Sequence, residues 1–197
     1  MLTMFVLASN SPRRRELLRN AGIQFEVRSS DVPEVHVRGE KPLEFASRLA
    51  LAKASAIAKL RPDEYVLGAD TIVIVREEIL GKPADADDAS RMLRLLSDKV
   101  HEVTTAVCLV SPEKLKKEPV IASETTRVHM AALTEEDIAG YVADGEPMDK
   151  AGAYAIQGFA SRWINRIEGD YFNVVGLPVA MVYGMLQRSG ALTTGRY

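Results

Sequence analysis

The chain has 197 residues, 47% of them hydrophobic and 26% charged, with 25 lysines and arginines against 27 aspartates and glutamates and a formal net charge of −2. This is the make-up of one soluble globular domain of ordinary size, or of two small lobes sharing a core. The balanced charge speaks against holding a nucleic acid by bulk electrostatics, and a single cysteine, Cys108, excludes an intramolecular disulfide framework and a thiolate zinc cluster. His36, His101 and His129 show no ligand-type spacing, and no apolar run approaches the roughly 20 residues that a membrane span needs.

In chain order, Phe5–Ala8 reads as a buried strand. The apolar run around it is too short for a signal peptide and has no basic region before it, so a cytoplasmic, reducing location is expected. Ser9 to Pro12 form a turn that opens a helix, with Ser11 as cap and Pro12 in the first helical position. That helix is predicted to run to about Asn20 and stop before Gly22. Phe25–Arg28 reads as a short strand, and Pro42 starts a helix whose apolar stripe passes through Phe45, Leu49, Ala52 and Ile57. Tyr65–Ala69 and Ile72–Val75 read as two strand pieces, and Asp85 or Asp87 caps a helix containing Met92, Leu95 and Leu96. Val103–Val110 and Val120–Val128 suit antiparallel partners, and Thr134 with Asp137 makes a capping box for a helix to about Ala143. Met148–Gly158 reads mostly as loop, Trp163–Ile167 as strand, and Pro178 opens a last helix through Leu186. The tail 191–197 is polar and is expected to fray. The mixed order predicts an α/β fold with a mixed sheet.

Four segments could carry chemistry. In Ser9-Asn10-Ser11-Pro12-Arg13-Arg14-Arg15 a strand runs into a helix start, where unpaired N–H groups, two serine hydroxyls and the forked guanidinium groups of Arg13 and Arg14 suit phosphate. A basic surface run after a capped helix is the plainer alternative. Asp70, in Gly68-Ala69-Asp70-Thr71, stands where α/β proteins place ligand sites, and it could hold Mg²⁺ or take a proton from water; an Asp in a tight turn would look the same. Lys82, in Gly81-Lys82-Pro83, and Lys53 could reach phosphate as point charges, or lie solvated and snorkel. In Asp149–Gly158 the small residues allow close approach of backbone to a ligand, and Gln157 offers an amide to a base edge, although a structural loop has the same composition. Glu34 has no local distinction beyond being a loop carboxylate. Together the cations and carboxylates suit phosphate-ester or nucleotide chemistry.

Leu7–Arg14 with Glu16-Leu17-Leu18, Gly68-Ala69-Asp70-Thr71, Gly81-Lys82-Pro83 and Asp149–Gly158 resemble, in this order, the motifs of the Maf family of nucleoside triphosphate pyrophosphatases, also called septum-formation inhibitors. The resemblance runs from about Phe5 to Leu186. It implies one two-lobed domain over 1–190, with an elongated mixed β-sheet flanked by helices and a central cleft, similar to the inosine triphosphate pyrophosphatases. It further implies hydrolysis of a nucleoside triphosphate to the monophosphate and pyrophosphate, a divalent cation (Mg²⁺ or Mn²⁺), a homodimer, and neither a nucleic-acid nor a membrane partner. Thr71 and the Asp149–Gly158 segment match the branch acting on dTTP and UTP, and modified pyrimidine triphosphates fall within its reach. Asp70 matches the family's general base, and Arg13, Thr71 and Gln157 its specificity positions. Ser9, Arg14, Lys53 and Lys82 match phosphate contacts, and Glu34 and Asp70 match metal contacts. Ala155 and Asn10 stand where relatives have Gly, which bears on base selectivity and leaves the charged groups intact. The implied role is clearing unwanted triphosphates from the nucleotide pool, with a link to cell-division arrest. Two alternatives stay open: the 7-methyl-GTP branch, which Thr71 disfavours, and a non-catalytic regulator of septum formation.

Overall fold

The computed structural model describes residues 4–192. Its strands are β1 (Phe5–Ala8), β2 (Phe25–Arg28), β3 (Val66–Val75), β4 (Glu78–Leu80), β5 (Val100–Val110), β6 (Val120–Met130) and β7 (Ile164–Glu168). Its α-helices are α1 (Pro12–Asn20), α2 (Pro42–Ala58), α3 (Ala86–Leu96), α4 (Glu135–Asp144), α5 (Tyr171–Val175) and α6 (Val179–Ser189). The strands make one seven-stranded sheet in the order β2-β1-β3-β5-β6-β7, with β4 also paired to β3. It is mixed, as expected: β1 runs parallel to β2 and β3, and the β3–β4 and β6–β7 pairs are antiparallel. The chain divides into two compact units, one holding residues up to Asp70, Thr105–Glu124 and the segment from Gly176, the other Thr71–Thr104 and Thr125–Val175.

In the first unit the two-residue period of the strands sorts the core. Phe5, Leu7, Leu67 and Ala69 pack with Leu18 of α1 and with Val182, Met185 and Leu186 of α6. Gly68 faces the other way, onto α2. A Cβ there would stand 2.3 Å from the Ala50 carbonyl oxygen and 2.7 Å from the Ala54 nitrogen, both backbone atoms that cannot swing aside. The glycine therefore sets how closely α2 approaches β3. Asp70, two residues on, shares the Gly68 face, and Lys53 lies in the same turn of α2 as Ala50 and Ala54. Gly68→Ala should cost about 3 kcal/mol or more through overpacking; an unfolding midpoint in urea equal to that of the unmodified protein would show that helix and strand are not in this tight contact. Ala191 is buried with this core and Leu192 packs against it, while 193–197 of the expected polar tail lie outside the described residues.

In the second unit α3 is capped by the Asp85 carboxylate and α4 by the expected Thr134–Asp137 box. The buried face of α3 (Ala89, Met92, Leu93, Leu96) packs with α4 and with the short 3₁₀ turn Ala151–Ala153. Two short elements, β4 and α5, were not expected from the sequence, being too short to show a period. The expected break in β3 is absent: Asp70 and Thr71 lie within one continuous strand, so Asp70 is not a turn residue.

Candidate active site

The first unit assembles most of the expected charged residues. Ser11 caps α1, its Oγ accepting the Arg14 N–H at 3.4 Å, and Ser9 Oγ accepts the Ser11 N–H at 3.1 Å. Arg13 lies half-buried in the first turn of α1, where it was expected at a phosphate. Arg14, expected beside it as a phosphate contact, instead turns inward. It is buried, with Nε donating to the Gly176 carbonyl at 2.8 Å and Nη1 to the Ala69 carbonyl at 2.9 Å and to Ser9 Oγ at 3.4 Å. Burial pushes its pKa down, and the charges of Asp70 and Glu34 act against that. A buried guanidinium needs acceptors on its fixed fork, and here three chain segments supply them, one being the residue next to Asp70.

Lys53 stands at the centre. Its Nζ donates to Asp70 Oδ1 at 2.7 Å and to Glu34 Oε1 at 2.5 Å. The Lys53 and Asp70 side chains are only 10% and 8% exposed, whereas that of Glu34 is 45% exposed. Lys53 is thus buried and paired and does not snorkel, while Glu34 keeps the exposure expected of a loop carboxylate and adds an ion pair to it. Burial raises the pKa of Asp70; Lys53 and Arg14 pull it back, and Glu34 adds to the rise. The outcome is a carboxylate more basic than an ordinary aspartate and tethered in one orientation.

Glu34 and Asp70 are the oxygen donors that a divalent metal would meet here. Hard oxygen donors from Glu34 and Asp70 already converge on one cationic centre, the lysine ammonium. Among the described residues no group of three His, Cys, Asp or Glu side chains could hold an ion. Two carboxylates alone are fewer ligands than a metal cage needs, so a hard cation held by them would take its remaining ligands from water and phosphate.

Sequence reasoning missed what holds Glu34 in place. Arg48 of α2 donates from Nε to Glu40 Oε1 at 2.6 Å, and from Nη2 to Glu40 Oε2 at 2.8 Å and to the Val35 carbonyl at 3.0 Å. The Arg48 fork holds the Glu40 carboxyl down at about 2 and braces the segment that carries Glu34. The only available signal was an acid and a base eight residues apart across a helix start.

The second unit holds Thr71, Lys82 and Gln157. Thr71 follows Asp70 on β3, is half-buried, and points to the opposite face of the strand. Lys82 is exposed. The Gly152 N–H donates to the Gly81 carbonyl at 3.0 Å, joining the Lys82 turn to the Asp149–Gly158 segment. Gly152 is required there: its φ is +70°, and a Cβ would press on the Val73 side chain at 3.0 Å. Gln157 is exposed.

The same segment is anchored by Tyr154, whose hydroxyl shares a 2.7 Å hydrogen bond with His101 Nε2. His101 Nδ1 is buried with no partner among the described residues. Burial pushes the His101 pKa down to about 4, so the folded protein keeps it neutral. The unfolded chain takes up that proton near pH 6.5, so this stabilisation is complete above pH 6.5 and is lost as pH falls towards 4, about 3 kcal/mol in all. His101→Gln should flatten that limb of a urea-unfolding pH series; an unchanged limb would exonerate His101.

The family model for Maf-like proteins matches residues 4–189. The chain is 56% identical over 187 residues to a dTTP/UTP pyrophosphatase of Koribacter versatilis, covering 95% of each protein. It is 50% identical to a protein of the same name from Geobacter sulfurreducens, covering 95% of this chain and 97% of that one. Among solved structures it resembles a HAM1 protein from Coxiella burnetii, with a TM-score of 0.51 at 18% identity over 95% of this chain and all of that one, a likeness of fold alone.

Proposed function

The chain belongs to the Maf family, and on that basis we propose that it hydrolyses dTTP and UTP to the monophosphate and pyrophosphate. One observation carries the reading: a buried lysine holds two carboxylates, Asp70 and Glu34, in a cluster that Arg14 ties to the start of α1. This is the combination of fixed base, cation and anion-binding helix start that phosphoryl transfer needs. Ser9, Arg13 and Lys82 serve as phosphate contacts. Lys53 donates to Asp70 Oδ1, and among the described residues no hydrogen bond occupies Oδ2. That second oxygen takes the proton of the attacking water as its oxygen bonds to the α-phosphorus, and the α–β bridging bond breaks to release pyrophosphate. Glu34, with the Oδ1 side of Asp70, would hold Mg²⁺ or Mn²⁺, whose chemistry is to neutralise charge on the phosphate oxygens; Asp70 Oδ2 stays off the ion and keeps its basicity. Arg13, Thr71 and Gln157 select the pyrimidine. Discrimination between T and U is slight, because a single methyl is worth only about 1–3 kcal/mol.

A panel of nucleoside triphosphates assayed for pyrophosphate release, with Mg²⁺ and with Mn²⁺, tests the proposal. dTTP and UTP should be turned over fastest. Faster turnover of 7-methyl-GTP, or release of orthophosphate in place of pyrophosphate, overturns it. The proposal includes a cytoplasmic homodimer, checked by sedimentation; among the described residues no helix is long and apolar enough to cross a membrane.

A further inference from the structure

Gln157 is the third residue of a turn that the Gly158 N–H closes onto the Ala155 carbonyl at 3.1 Å. The backbone is tied down two residues to either side of it. The Ala155 N–H donates to the Tyr141 hydroxyl at 3.2 Å, and the Phe159 N–H donates to Glu146 Oε2 at 3.3 Å. The two anchors are themselves joined, since the Tyr141 hydroxyl donates to Glu146 Oε1 at 2.8 Å. The turn wraps closely on this carboxylate: a Cβ on Gly158 would stand 2.2 Å from Glu146 Oε1.

The anchors are rigid. Tyr141 is 1% exposed, stacks on Phe159 with centroids 5.6 Å apart, and meets Trp163 edge-on at 5.3 Å. Burial pushes its pKa up, so the hydroxyl stays a donor. Glu146 is placed by Gly145, which ends α4 at a left-handed φ of 85°, and by Lys150 Nζ, which donates to the Glu146 carbonyl at 2.5 Å. The Tyr141 ring serves the core, whereas its hydroxyl and the Glu146 carboxylate bond, among the described residues, to each other and to the turn that bears Gln157.

We propose that Tyr141 and Glu146 are positioning residues for base recognition: as a joined pair they fix the backbone on both sides of Gln157, so that its amide meets the nucleobase in one orientation. The inference rests on Gln157 being a base contact, as read above. A hydrogen-bonding site rejects a wrong partner strongly only when its own donors and acceptors cannot shift to suit it.

The test is kcat/KM for UTP and for ATP in Glu146→Ala, Tyr141→Phe, Glu146→Gln, Gln157→Ala and the Glu146→Ala/Gln157→Ala pair. Glu146→Ala and Tyr141→Phe should each lower the UTP-to-ATP ratio about tenfold, mostly through the KM for UTP. Glu146→Gln keeps an acceptor for Phe159 and a polar group for Tyr141, so it should restore most of the ratio. In the Gln157→Ala background, Glu146→Ala should lower the ratio no further. An equal fall in kcat for both nucleotides with the ratio intact is the mark of a merely structural pair and overturns the inference. If Glu146→Ala does not fold, Tyr141→Phe, which removes one oxygen, decides the matter. An unchanged ratio in Gln157→Ala overturns the base-contact reading itself, so the two failures are told apart.

Discussion

Asp70→Asn should lower kcat for dTTP and UTP on the order of 10³-fold, with KM changed little. Asparagine has the shape of aspartate, and its Oδ1 still accepts the Lys53 ammonium that now sits 2.7 Å away. What it cannot do is take a proton from water. Burial raises the pKa of Asp70, so the wild-type group is a stronger base than a solvent-exposed aspartate while the lysine keeps it ionised. Circular dichroism should show the fold retained. A loss smaller than tenfold would remove Asp70 from the role of base and leave it a tether for Lys53.

Lys53→Met should be the next most damaging change, with kcat/KM down on the order of 10²-fold and stability reduced by about 3–5 kcal/mol, as is usual when one partner of a buried ion pair is deleted. Methionine fills much of the space of the lysine stem and carries no charge. Glu34 and Asp70 then lose the cation that draws them together, and Asp70 is left 8% exposed with Arg14 as the nearby positive charge. Lys53→Arg should rescue little, because a planar fork does not replace a compact ammonium placed between two oxygens. Steady-state kinetics and urea unfolding on the same samples separate the two effects. Since Lys53 acts through Asp70, the two losses should not add in a double mutant. Full additivity would mean that the lysine works independently of the aspartate.

The folded arrangement changes the meaning of several residues that had plain alternatives. As isolated positions, Lys53 was as well read as a snorkelling helix residue and Glu34 as a solvated loop carboxylate. In the fold they are 2.5 Å apart. Asp70 looked like a turn residue because Gly68 and the polar pair Asp70-Thr71 interrupt an apolar run, yet β3 runs straight through them. Gly68 is there for close contact with α2, and no bend is made of it. The family resemblance pointed to Asp70, Lys53, Glu34 and Gln157 as places to look, but it carried no information about Arg48, Tyr141 or Glu146, which hydrogen-bond to the segments bearing Glu34 and Gln157.

What could be read from the chain alone was local. Ser11 with Pro12, the pair Asp85 and Asp87, and Thr134 with Asp137 announced the starts of α1, α3 and α4, because a cap is an interaction over three residues and its chemistry is written in the side chains that make it. Strands β1 and β2 and the long helix α2 followed from runs and periods of apolar residues. What folding alone decided was which distant groups meet. Arg14 and Arg13 are neighbours with the same charge and the same fork, and nothing local tells them apart. One lies in the first turn of α1; the other is buried against the carbonyl of Gly176, 162 residues away in the chain. A buried guanidinium takes whatever acceptors the packed backbone brings to it, and those are settled only once strand, helix and crossing segment have come together.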